Sequence, residues 1–344
     1  KKKQAQNINI VKITINDNVL KHKKKSKAKN TQDKYEGDWL KFTNYCQNKY
    51  LCNPIDVDDL ESAYALTANY MDWLHEDPEA KVFKGSSNIP GREKLNNNPY
   101  SSSPYKASTI QRILASITYK YRLNGFQFDR KNPNIAETIS AIVRDEKNNK
   151  SGQAKELLKV DIIKIIDSIP NDEEDYSNIR DKALILVGFS GGFRRSELVN
   201  IYYEDVEFVS EGVKILIKRS KTDQSGEGSI KAIPYFENKE FCPVVALKDY
   251  ISENFEIKNE GKVFKLSDKS VALIIKKYAE KAGLDASKYA GHSLRSGFAT
   301  TAAEFGAEER NIMAMTGHKT TQMVRRYIQE ANLFKNNALN KIKI

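Results

Sequence analysis

Apolar positions recur at helical spacing through most of this chain. From Asn30 onward, Tyr35, Trp39, Phe42 and Cys46 fall three or four residues apart and lay one apolar stripe along a helix. Asn30 or Thr31 can cap its start. The stretch LESAYALTANYMDWLHE reads as a second amphipathic helix. Residues 77–106 are rich in Pro, Gly, Ser and Asn and read as a long loop. In the next segment Ile110, Leu114, Ile117 and Tyr121 share a face, with Ser108 or Thr109 as cap and Gly125 as stop. NPNIAETISAIVRDEKN is a further short helix. Residues 30–148 are therefore expected to form an all-helical domain.

The polar run EKNNKSGQAKE follows, and a linker is expected at 149–156. A second domain is expected over 157–330. In it, IRDKALILVGFSGGFRRSELVNI reads as helix, Gly-rich break and helix. VKILIKRSKTDQSGEGSIKAIPY reads as a β-hairpin around a turn containing Gly226 and Gly228. The remainder is helical, ending in a tail at 331–344 that carries Leu333, Phe334, Leu339 and Ile342. Such an apolar tail is expected to dock on a neighbouring protomer. Residues 1–29 form a basic, flexible arm in which IVKITI could make a short strand. The expected fold class is mainly α: an all-helical N-terminal domain plus an α-rich domain with a small antiparallel sheet.

Composition narrows the function. The chain has 344 residues, 40% of them hydrophobic, enough for two cored domains. No apolar run approaches the roughly 20 residues that span a bilayer, and KKKQAQNINI lacks the apolar region of a secretory signal. The three cysteines, Cys46, Cys52 and Cys242, have no CxxC spacing, which argues for free thiols in a reducing compartment. A net charge of +11 suggests a polyanionic partner, nucleic acid before membrane.

The chemistry sits in four places. In SGGFRRSELVNI, the break puts Arg194 near a helix start, where a guanidinium fork and free N–H groups favour an anion, and Glu197 can pair with it. Lys221, in RSKTDQSGEG, lies before the hairpin turn. His292 and Arg295 in GHSLRSGFAT are three apart and share a helical face. His318 follows Gly317, and Tyr327 sits on the later helix TTQMVRRYIQ, with Thr320 or Thr321 as cap. Two histidines with no nearby Cys and no HExxH give too few ligands for zinc. Phosphoryl transfer at a DNA phosphodiester does want this set. Its transition state gathers charge on the non-bridging oxygens, a phenol of pKa near ~10 must lose its proton to attack, and the leaving oxygen needs a donor.

In order and spacing, these residues resemble the tyrosine site-specific recombinases of the phage integrase family, including its simple Cre-like members. The signature Arg…Lys…His-x-x-Arg…His/Trp…Tyr is matched by Arg194, Lys221, His292, Arg295, His318 and Tyr327. The resemblance covers about residues 30–335 and is weaker in the N-terminal part. It implies a C-shaped clamp on double-stranded DNA at an inverted-repeat site, a homotetramer on DNA, and no cofactor or metal. It implies that Tyr327 is the nucleophile and forms a 3′-phosphotyrosine. Arg194 and Arg295 would hold the phosphate, and Lys221 would protonate the leaving 5′ oxygen. His292 would assist proton transfer, His318 would hydrogen-bond the phosphate and Glu197 would support them. The resemblance places Thr31, Lys34 and Arg112 against the major groove, and Lys276 and Lys277 against the backbone. A cytoplasmic, nucleoid-associated protein is expected. Two alternatives share these residues: a DNA-binding protein of the same fold that does not cut, and a relaxing topoisomerase or telomere resolvase.

Overall fold

The computed structural model describes residues 28–77, 105–148, 155–171, 175–218, 228–252 and 260–332, together with Asn18, Ala80 and Ile342. The expected strand in the N-terminal arm, most of the 77–106 loop, Lys221 and most of the apolar tail lie outside these residues. The chain divides into two units, Lys1–Ser151 and Gly152–Ile344.

The first unit is built from α1 (Lys29–Tyr50), α2 (Leu60–Glu76), α3 (Ala107–Leu123) and α4 (Pro133–Asn148). The apolar stripes meet in one core in which Phe42 and Cys46 of α1, Tyr70 and Met71 of α2, and Ile110, Leu114, Ile117 and Tyr121 of α3 are buried. Tyr121 stacks on Phe128 with ring centroids 4.8 Å apart. Asp59 caps α2 by accepting from the Ser62 N–H at 2.6 Å. Two expected caps are not used. α1 starts at Lys29 with Ala28 before it and no side-chain cap, so Asn30 and Thr31 lie inside its first turn. α3 starts at Ala107, ahead of Ser108 and Thr109. There the N–H of Ala107, which has no partner within the helix, is satisfied across the unit by Glu146 of α4 at 2.9 Å, so a local cap is not needed. At the other end of α3, Gly125 adopts φ +87°, the left-handed stop its position called for.

The second unit wraps α5 (Lys159–Asp167), α8 (Pro243–Ser252), α9 (Asp268–Lys281) and α10 (Ser293–Glu304) around α6 (Tyr176–Ser190). Ala183, Leu184, Ile185, Leu186 and Val187 are consecutive and all buried, as a helix packed on every side requires. A one-turn helix α7 (Arg195–Leu198) follows the Gly191–Gly192 break. Beside it lies a three-stranded antiparallel sheet in the order β1 (Val206–Val209), β2 (Gly212–Ile217) and β3 (Ser229–Pro234). Only β2 and β3 were expected. The four residues of β1 are too short and too exposed to show an alternation. On β2, Val213, Ile215 and Ile217 face inward. The register pairs Ile215 with Lys231 and Val213 with Ile233.

The unit closes with α11 (Glu309–Thr316) and α12 (Thr321–Ala331), which share with α10 a small core of Ala299, Ala303, Ile312 and Val324. Gly297 lets α10 lie against the chain entering the unit: a Cβ there would stand 1.7 Å from the Leu157 carbonyl oxygen, a backbone atom. Gly297→Ala is expected to destabilise the protein by about 1–3 kcal/mol. Denaturant unfolding checks this, and an unchanged midpoint would contradict the packing.

Candidate active site

The site begins where α6 ends. Gly192 takes φ +54°, and a Cβ there would crowd Phe298 at 2.9 Å. This turn presents two successive carbonyls to two cations. Gly191 O accepts from Lys231 Nζ at 2.7 Å, and Gly192 O accepts from Arg295 Nη1 at 3.0 Å. Arg194 then occupies the N-cap position of α7. Its N–H donates to Glu197 Oε2 at 3.0 Å, and its Nη1 donates to Glu197 Oε1 at 2.5 Å. One buried carboxylate therefore holds both the backbone and the guanidinium of Arg194.

The end of α11 completes the frame. Gly317 turns left-handed at φ +60°, and His318 N–H bonds back to the Met313 carbonyl at 3.2 Å. The carbonyls of this helix end face cations, as the negative end of a helix dipole favours. Met315 O accepts from Lys231, and Gly317 O accepts from Arg194 Nη2 at 3.4 Å. Tyr327 rises from α12, half-buried against the small core, with its ring centroid 6.1 Å from that of His318. Thr320 holds the N-cap position of α12, although its side chain makes no cap bond.

Arg194, His292, Arg295, His318 and Tyr327 line one cleft of about 1080 Å³. His292 and Arg295 both reach this cleft from the start of α10. His292 is the exposed N-cap residue of α10, whereas Arg295 lies inside that helix at 4% exposure. Tyr289 is buried in the main core of the unit and is not among the residues lining the cleft. Burial and the neighbouring Arg194 lower the Arg295 pKa to about 10, which still leaves it charged at neutral pH. Burial, then Arg295, Arg194 and Lys231, lower His318 to about 4, so its ring is neutral at pH 7. Among the described residues, no three His, Cys, Asp or Glu side chains gather as a metal-binding group.

The DNA-contact candidates lie elsewhere. Thr31 is half-buried and Lys34 exposed, both on α1. Arg112 is engaged within its own unit: both terminal nitrogens of its fork bond the Asp38 carboxylate, with Nη2 at 3.2 Å from Oδ1. Lys276 and Lys277 are exposed on α9, and Lys277 Nζ donates to the Tyr278 hydroxyl at 3.1 Å.

Residues 155–333 match the phage integrase family. The chain belongs to this family and is a tyrosine recombinase. It is 38% identical over 334 residues to an integrase/recombinase XerD homologue of Selenomonas ruminantium, covering 92% of this chain and 86% of that one. It is 25% identical over 245 residues to the tyrosine recombinase XerA of Pyrococcus horikoshii, covering 70% and 76%. The fold is also that of the Tn1549 transposon integrase in complex with circular intermediate DNA, with a TM-score of 0.55 at 17% identity over 90% of this chain and 92% of that one. A λ integrase dimer bound to a core site matches with a TM-score of 0.50 at 16% identity, over 94% and 79%. Among the described residues, no helix is long and apolar enough to cross a membrane.

Beside this site the tyrosine recombinase buries a cation that motif reading missed. Lys231 is 5% exposed, stands over the Phe193 ring at 4.8 Å, and ties β3 to both the Gly-Gly break and the end of α11. A signal for it existed. Lys231 has the same parity as Ile233 on β3, so strand alternation sends a lysine to the apolar face. Burial lowers its pKa from 10.5 to about 8. The shift means the ammonium is destabilised by about 3 kcal/mol at neutral pH.

The sign follows from linkage. Between 8 and 10.5 the unfolded chain keeps a proton that the folded chain releases, so this contribution makes stability rise with pH across that window. In Lys231→Met the rise between about pH 7 and about pH 9.5 is expected to flatten relative to the parent. Denaturant unfolding at both pH values checks this, and equal rises in both proteins would contradict the assignment.

Proposed function

We propose that this tyrosine recombinase cuts and rejoins DNA strands through a 3′-phosphotyrosine, exchanging strands between two duplex sites held by four protomers. The observation that carries the reading is the convergence of Arg194, Arg295, His292, His318 and Tyr327 on one cleft. A buried Arg295 Nη2 without a hydrogen-bond partner among the described residues adds a donor that a phosphate oxygen would satisfy.

In the proposed step, Tyr327 Oη bonds to phosphorus as the P–O5′ bond breaks. The phenolic proton leaves to a base in the cleft, and the 5′ oxygen takes a proton from Lys221. Arg194 and Arg295 bind the non-bridging oxygens, whose charge grows in the transition state. Glu197 keeps Arg194 in place, and His292 and His318 serve proton transfer and the phosphate. The product tyrosyl phosphodiester is close in energy to the bond it replaces, so reversal by another strand's 5′ hydroxyl rejoins DNA without a metal or nucleotide. Thr31, Lys34 and Arg112 would meet the major groove and Lys276 and Lys277 the backbone of an inverted-repeat site. Of these, Arg112 has first to leave Asp38. The place of action would be DNA of the cytoplasmic nucleoid.

The test is capture followed by exchange. The protein is incubated with source DNA in EDTA and denatured, and the ends that remain attached are sequenced. Plasmids carrying two copies of the recovered site are then treated with the protein. Recombinant circles are expected. Relaxed plasmid without recombinants would favour a topoisomerase, and specific binding without attachment would favour a binding protein that does not cut.

A further inference from the structure

The residue before Gly317 makes a contact that determines which nitrogen of His318 carries the proton. Thr316 is fully buried at the last turn of α11. Its hydroxyl lies 2.6 Å from the Ile312 carbonyl oxygen and 2.7 Å from His318 Nδ1. A hydroxyl has one proton to donate and lone pairs with which to accept. The Ile312 carbonyl can only accept, so it takes that proton. Toward His318 the Thr316 oxygen is then an acceptor, and Nδ1 must be the donor. A neutral imidazole with its proton on Nδ1 has a bare lone pair on Nε2.

Neutrality is favoured by what surrounds the ring. Burial first, and then Arg295 from α10, Arg194 from the start of α7 and Lys231 from β3, disfavour a positive charge at His318. The Tyr327 ring of α12 lies 6.1 Å from it, centroid to centroid.

We propose that Thr316 is a positioning residue that holds His318 in the Nδ1–H form, so that His318 enters cleavage as a proton acceptor rather than as a donor to the phosphate. The inference rests on the function proposed above and deepens it. As Tyr327 Oη bonds to phosphorus and the P–O5′ bond breaks, the phenolic proton passes to Nε2. The imidazolium so formed then donates Nε2–H to a non-bridging oxygen. The same ring is acceptor before bond formation and donor after it, and the proton is accounted for at each stage. Bound DNA phosphate supports the change by offsetting the surrounding cations.

The test is spectroscopic and needs no DNA. The protein is prepared with 15N-labelled histidine, and the long-range proton–nitrogen spectrum is recorded near neutral pH. His318→Gln identifies the His318 signals by their loss. The expected pattern is a protonated Nδ1 and an unprotonated Nε2. Thr316→Val, which keeps the shape and loses the hydroxyl, is expected to shift His318 toward the Nε2–H form and to slow single-turnover DNA cleavage about tenfold. Thr316→Ser is expected to restore both the spectrum and the rate. A parent protein with its proton on Nε2 would overturn the proposal, as would a Thr316→Val spectrum with an unchanged tautomer. Should the valine variant misfold, the parent and serine spectra still decide the matter. Absence of a Tyr327 adduct would count against the proposed function and leave the ring spectrum untouched, so the two failures are distinguishable.

Discussion

Tyr327→Phe is expected to abolish covalent attachment to DNA, a loss of at least about 10⁴-fold in adduct formation, with non-covalent affinity changed by less than about threefold. Phenylalanine keeps the aromatic ring that packs against the small core shared by α10, α11 and α12 and removes only the oxygen that would bond to phosphorus. The cations that would hold the phosphate, Arg194 and Arg295, come from the start of α7 and from α10, not from α12, so binding should survive. Gel-shift titration beside a denaturing adduct assay separates the two effects. Joint loss of binding and attachment would point to a structural role for the tyrosine, and an undiminished adduct would assign the nucleophile elsewhere.

Arg295→Lys is expected to lower the single-turnover cleavage rate by about 10²–10³-fold. Charge is conserved in this variant, so the loss measures geometry. Arg295 is 4% exposed, and one arm of its fork is fixed by Gly192 O at 3.0 Å while Nη2 has no hydrogen-bond partner among the described residues. A planar fork can be anchored to the protein through one nitrogen and offer the other to a phosphate. Lysine ends in a single ammonium on a flexible stem, and it would have to choose between the carbonyl and the substrate. The falling quantity should be the rate rather than DNA affinity, since the growing charge on the phosphate oxygens is what the second nitrogen meets. A variant that cleaves at the parent rate would show that Arg295 supplies charge alone. Circular dichroism before the assay confirms that the variant is folded.

Much of this was legible in the chain. The helical stripes are long and strongly periodic, so the elements of the first unit follow from spacing alone. Arg194, His292, Arg295, His318 and Tyr327 stand in short motifs whose order is readable, and the fold brings these five to one cleft. What escaped depends on partners distant in sequence. Glu146 relieves the start of α3 from 39 residues away, which makes the local cap signals misleading. Arg112 does lie off the apolar stripe of α3, yet its pairing with Asp38 of α1 could not be seen without the packing of the two helices. Lys231 was hidden because a lysine on a strand is usually read as exposed. Its parity with Ile233 carried the signal, and the register with Ile215 shows that it faces the core. Thr316 was hidden for a simpler reason: its role lies in the direction of one hydroxyl proton, which needs both of its neighbours in space.

The residue that becomes linked to DNA decides the mechanism most directly. The measurement is made on protein trapped with DNA in EDTA, denatured, digested with nuclease and protease, and mapped by tandem mass spectrometry. The expected result is a residual nucleotide, joined through its 3′ phosphate, on the peptide containing Tyr327. Modification at Tyr289 or any other residue, or a 5′-phosphate linkage at Tyr327, would contradict the mechanism.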